Sequence, residues 1–172
     1  MAPIKHIEKK KKDYKEAKEI LKLVCDEIDK LSFSGSHHPC YSRPILEAAC
    51  QGAYEVVDEI LSRSPKAIDC KNQNGINIIQ LAVINRSEKV YNLIYHMVER
   101  KDLYRTLTDS SKNNILHLAG RLAPSRILNR TTGAALQLQR ELQWREVCYK
   151  KVKSRYAILF FTLQQNQVYR TP

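Results

Sequence analysis

Apolar residues recur along this chain in short paired bursts rather than in one long run. Ala17, Ile20, Leu21, Val24, Ile28 and Leu31 step by three and four, which predicts one amphipathic helix from Asp13 to about residue 31, behind a basic, frayed stretch at 1–12. Residues 32–43, with four Ser, two adjacent His, Gly35 and Pro39, read as a linker. Then Ile45, Leu46, Ala48 and Ala49 form one short apolar face, and Val56, Val57, Ile60 and Leu61 a second. Pro44 suits a first helical position and Gly52 a helix end, and Ser64-Pro65 stops the second helix. The alternation repeats with Ile78, Ile79, Leu81, Ala82 and Val83, then Val90, Leu93, Ile94 and Met97. Ile115, Leu116, Leu118 and Ala119 begin a third unit. Asn74-Gly75 is a strong turn dipeptide ahead of the second unit, and 109–113 is a similar polar turn ahead of the third. Asn77 and Asn114 stand where a side-chain oxygen can cap the following helix.

Leu46, Ile79 and Leu116 occupy one recurring slot, spaced by 33 and 37 residues. A period near 33 built around an L-H-x-A core, here Leu116-His117-Leu118-Ala119, is the signature of ankyrin repeats. The expected fold is all-α: a solenoid of about three helix-turn-helix repeats over 44–128, flanked by the N-terminal helix and by a C-terminal helix over 129–148. Leu46, Ala49, Ile79, Ala82, Leu116, His117 and Ala119 form its repeat core, with His117 bridging backbone groups of neighbouring turns. In the C-terminal helix Ala134, Ala135, Leu138, Glu141/Leu142 and Val147 support the period, while Gln137, Gln139, Arg140 and Gln143 face out. Residues 149–172 form a divergent basic tail, weakly ordered or a helix continuation that soon frays.

Segments 115–124 and 133–144 resemble plant ankyrin-repeat proteins that carry a C-terminal membrane PGG domain, the accelerated-cell-death and salt-stress type. Glu88-Lys89-Val90-Tyr91-Asn92-Leu93-Ile94-Tyr95 is similar to that family's repeat, and the resemblance covers about 13–147. It implies a cytosolic ankyrin region tethered to a membrane by C-terminal helices and acting in stress or defence signalling. The pattern departs after Trp144, where Arg145 stands in place of a continuing hydrophobic residue. The end therefore reads as a truncation, a splice product or a misassigned gene end.

Charge and chemistry sharpen the expectation. The net charge of +11 is concentrated in 121–172, which hold 10 Lys/Arg against 2 Asp/Glu. Such an end suits anionic lipid, nucleic acid or an acidic protein. Interleaved Tyr149, Lys150, Lys151, Lys153, Arg155 and Tyr156 would be the nucleic-acid surface, but no recognised module surrounds them, so nucleic acid is not the expected partner. Five unevenly spaced cysteines, with no signal peptide at the start given, fit free thiols in a cytoplasmic setting. His37, His38 and Cys40, with Cys50 nearby, form a zinc candidate without paired C-x-x-C spacing. No phosphate loop, dinucleotide fingerprint or nucleophile elbow is present, so the expectation is a non-enzymatic protein-binding module with no cofactor, metal or small-molecule substrate. The candidate contacts are the turn residues Lys71, Asn72, Gln73, Ser111, Lys112 and Asn113, with Glu47 and Gln80 on the inner helices. The alternative is a peripheral adaptor that binds anionic lipid through the basic C-terminal segment.

Overall fold

A computed structural model describes residues 2–31, 33–35, 37–97 and 107–168. Among these, eight α-helices carry the fold: α1 (Ala2–Asp29), α2 (Ser42–Gln51), α3 (Tyr54–Arg63), α4 (Ile78–Ile84), α5 (Glu88–Met97), α6 (Ile115–Gly120), α7 (Ser125–Leu128) and α8 (Ala134–Val168). Extended pairing among the described residues is limited to a bridge between Lys71 and Asn77. The chain is all-α, as the sequence pattern requires.

Local signals set the helix ends. Asn77 accepts from the Gln80 amide at 2.9 Å while the Gln80 side chain accepts from the Asn77 amide at 3.0 Å, a reciprocal cap. Asn114 and His117 repeat this arrangement at the start of α6. Gly52 closes α2 at φ +78°, a left-handed conformation that glycine adopts without steric cost. Pro65 follows α3 and opens a short 3₁₀ segment, Pro65–Asp69.

These short helices pack in two registers. α2 lies against α4, and α4 against α6, while α3 pairs with α2 and with α5, and α5 with α4. The small residues Ala49, Ala82 and Ala119 are buried at 0%, 0% and 2% exposure and are spaced like the Leu46, Ile79 and Leu116 slots. Small side chains there let one helix approach the next closely. Ile79 is buried, and Leu46 and Leu116 are half-buried against the same core. Each fully buried Ile, Leu or Val contributes about 1.5–3 kcal/mol of transfer free energy.

Both flanking helices differ from the sequence expectation. α1 begins at Ala2, so residues 2–12 continue the helix rather than fray. It packs against α3, with Cys25 buried and Leu21 and Ile28 half-buried. Tyr41 donates to Asp29 at 2.6 Å, and Arg63 pairs with Asp26 and Asp29, each at 2.7 Å, fastening α1 to the stack. α8 runs unbroken to Val168, far beyond the boundary at 148 and through most of the expected tail. Its inward face also differs. Leu138 and Leu142 are exposed at 61% and 50%, while Trp144 and Cys148 are buried and Gln137, expected to face out, is half-buried alongside Glu141. Polar partners explain the inversion. Arg86 is held at φ +54° with its guanidinium 2.5 Å from Glu141, and the Trp144 indole N–H donates to the Val83 carbonyl at 3.1 Å. Gln137 donates to the carbonyls of Leu128 and Thr131. The end of the α4–α5 layer exposes carbonyls and a cation, and the face of α8 that can satisfy them turns inward. Part of the connection from 102 to 112 falls at 102–106, and Val98 also lies outside the described residues.

Candidate functional site

The most strongly patterned surface is built from two turns. In residues 70–77, the Asn72 side-chain oxygen accepts from the amides of Asn74 at 3.0 Å and Ile76 at 2.9 Å. The Gly75 amide donates to the Asn72 carbonyl at 2.9 Å, and the turn depends on φ +71° at Gly75. In residues 107–114, Asp109 takes the part of Asn72, accepting from the amides of Ser111 at 2.9 Å and Asn113 at 2.8 Å. Lys112 takes the part of Gly75, with φ +62° and its amide on the Asp109 carbonyl. Every equivalence is an offset of 37 residues, the spacing that relates Ile79 to Leu116. The Asn113 N–H groups hold the Asp109 carboxyl below its ordinary pKa, and the Ser111 amide adds to this. The turns are joined directly: the Ser110 amide donates to the Asn74 carbonyl at 3.3 Å. They therefore form one continuous rim with its own hydrogen-bond framework.

On this rim Lys71, Gln73, Ser111 and Lys112 are exposed. Asn72 and Asn113 are half-buried and spend their side chains inside their turns, Asn113 donating to both Asp109 oxygens at 3.0 and 2.9 Å. Glu47 is exposed on α2, where it accepts from Gln51 at 2.8 Å. Gln80 does not belong to the surface. It is 1% exposed, caps its own helix, and donates to the Leu107 carbonyl at 3.4 Å. The bridge between neighbouring turns expected of His117 is thus made by Gln80, its counterpart one unit earlier. His117 itself is exposed, and its Nδ1 accepts from the Asn114 amide at 3.2 Å within its own turn. Gln80 meets Leu107 at the start of the second turn, whereas the position 37 residues beyond Leu107 lies inside α8, and no local motif reveals this difference.

The other candidate clusters are dispersed. His37 Nε2 lies 2.9 Å from the Ser42 hydroxyl and 3.3 Å from the Cys70 sulfur, whereas His38 Nδ1 accepts from the Cys40 amide. Among the described residues no three His, Cys, Asp or Glu side chains converge as metal ligands. In the basic segment, Lys151 turns inward over the rings of Tyr91 and Tyr95, with its ammonium against Asn92. Burial pulls its pKa down. Lys150 pairs with Glu146 at 2.8 Å, and the side chains of Arg155 and Tyr156 lie outside the described residues. No described helix is long and apolar enough to cross a membrane. A cavity of about 570 Å³ between the 127–131 segment and α8 is lined by Ile127, Leu128, Arg130, Arg140, Trp144 and Val147 among others.

No protein-family model matches this chain, and comparison with curated proteins and with solved structures finds no similar one.

Proposed function

We propose that the chain is an ankyrin-type stack of about three repeats that works as a non-enzymatic protein-binding module through the rim formed by its two turns. The observation that carries this reading is the 37-residue equivalence of the turns, reproduced in hydrogen bonding and in the left-handed position, together with the amide-to-carbonyl link from Ser110 to Asn74. A rim whose backbone polar groups bond to one another leaves Lys71, Gln73, Ser111 and Lys112 free to meet a partner without reorganising the frame. A prearranged surface loses little conformational entropy on binding. Two lysines on this rim favour an acidic partner surface. The resemblance to plant ankyrin proteins supplies the setting: stress or defence signalling, with the repeat region facing the cytosol.

The test is a comparison of wild type with the double variant Lys71→Glu/Lys112→Glu. Both lysines are exposed, so thermal melting should stay within a few degrees of wild type. Affinity capture with quantitative mass spectrometry should show a defined set of proteins lost from the variant. If both forms retain the same set at equal amounts, the rim is not the binding surface.

A further inference from the structure

The cavity of about 570 Å³ between the 127–131 segment and α8 has a lining of two kinds. Ile127, Leu128, Trp144 and Val147 are its apolar part, and Arg130 and Arg140 bring two guanidiniums to the same space. Most of its other polar groups are spent inside the fold. Arg86 pairs with Glu141 at 2.5 Å, and Lys150 with Glu146 at 2.8 Å. Gln137 donates to the carbonyls of Leu128 and Thr131, and the Trp144 indole N–H to the Val83 carbonyl. Glu88, the remaining carboxylate of the lining, is exposed and lies in the field of Lys151. The two arginines are different. Arg140 donates one N–H to the Thr131 hydroxyl at 2.7 Å, which brings it to the residue beside Arg130 and leaves its other N–H groups open. The Arg130 side chain has no hydrogen bond or ion pair among the described residues. Two like charges held at one cavity repel each other, and neither has a carboxylate of this chain to offset it.

We propose that this cavity binds a small amphiphilic anion: a compact hydrocarbon body against Ile127, Leu128, Trp144 and Val147, with one carboxylate or phosphate head held by Arg130 and Arg140. The volume lies within the range of small-molecule sites, which pair a mostly apolar lining with a few polar groups that fix orientation. The guanidinium fork matches a carboxylate or phosphate through two parallel N–H donors, and an anion between the two arginines removes their mutual repulsion. Simpler occupants satisfy only half of the lining. An inorganic anion leaves the apolar side chains against water, and a neutral hydrocarbon leaves both guanidiniums without a counter-charge. A cation meets two uncompensated positive groups. The acids that could compete for the arginines, Glu141 and Glu146, are already paired with Arg86 and Lys150.

The experiment titrates the full chain with octanoate, octyl phosphate, octanol and inorganic phosphate from about 1 µM to about 1 mM, the range of a modest small-molecule site. Binding is followed by calorimetry and by the fluorescence of Trp144, the only tryptophan, which lines the cavity. At least one of the two amphiphilic anions should bind saturably, change the fluorescence, and bind about tenfold or more tighter than octanol and inorganic phosphate. The tighter of the two identifies the head group. Arg130→Gln, at an exposed side chain with no partner to lose, should weaken the anion about tenfold and leave octanol unchanged. Arg140→Gln should do the same, whereas Thr131→Val, which loses the same hydroxyl bond but keeps the guanidinium, should bind like wild type. Arg145→Gln, in the groove beside Leu116 and Leu142, should also bind like wild type. Four results would each overturn the proposal: no saturable binding of either amphiphilic anion, equal binding of octanol, equal binding of inorganic phosphate (an adventitious ion only), or arginine variants that bind as wild type does. The Lys71→Glu/Lys112→Glu rim variant should bind the anion unchanged, so failure of the rim assignment and failure of this site are read separately.

Discussion

The pairing of Arg86 with Glu141 ties the long C-terminal helix to the rest of the chain. Their side chains are only 8% and 14% exposed and meet at 2.5 Å. Arg86 also donates to the carbonyls of Val83 at 2.9 Å, Ile84 at 3.4 Å and Arg121 at 2.5 Å. The Glu141 carboxylate also accepts from the Ala123 amide at 3.3 Å. Glu141→Gln keeps the shape but leaves the guanidinium buried without its counter-charge. Arg86→Met leaves the carboxylate in the same position. Removing one partner of a buried pair costs about 3–5 kcal/mol, and the residual exposure here favours the lower end. A loss of about 3 kcal/mol in a chain of this length lowers the melting temperature by ~6–12 °C. The double variant loses only a buried pair that is already half gone in either single variant, so its cost should fall about 2 kcal/mol short of the sum of the two. Trp144, the only tryptophan, stacks edge-on against Tyr91 at 5.9 Å and reports directly on the docking of α8. Urea unfolding followed by tryptophan fluorescence and far-ultraviolet circular dichroism measures both quantities. In the single variants the fluorescence transition should move to lower urea than the dichroism transition, because α8 leaves first. Costs below about 1 kcal/mol for each single change, or a double variant equal to the sum, would refute the coupling.

Three further expectations follow from the geometry. Lys112→Gly should stabilise the fold by about 0.5–1 kcal/mol, because the left-handed penalty on a residue with a Cβ exceeds the extra entropy of glycine. Gly75→Ala should destabilise it by about 1 kcal/mol for the mirrored reason, and equilibrium urea titration checks both. At Asp29, hydrogen bonds from Tyr41 and then Arg63 lower the carboxyl pKa below its ordinary value. Its contribution is therefore full above that ordinary value and is lost as pH falls toward the lowered one. The melting temperature of wild type should drop across this acid window more than that of Asp29→Asn, and equal slopes would remove Asp29 from the latch. Among the five thiols, exposed Cys40 should be alkylated first. Cys148 should react only on unfolding, since burial pushes its pKa up to about 12, and peptide mass mapping after timed iodoacetamide treatment orders them.

The short helices, their caps and their turns were legible in the sequence because those signals act over a few residues. An asparagine three positions before a helical amide, or Asn-Gly between apolar runs, has the same meaning wherever it occurs. The 33- and 37-residue spacings then placed Ala49, Ala82 and Ala119 in one register, and all three are buried. Only the tertiary structure decided which face of α8 turns inward, that Gln80 rather than His117 links neighbouring turns, and which flank of α1 stays open. Those outcomes depend on partners far away in the chain: Glu141 on Arg86, Trp144 on the Val83 carbonyl, and Arg63 on Asp26 and Asp29. Hydrophobicity read along α8 favours Leu138 and Leu142, but the surface it meets offers a buried cation and open carbonyls. Satisfying these outweighs burying two leucines, because a desolvated polar group left without a partner costs more than an exposed methyl group.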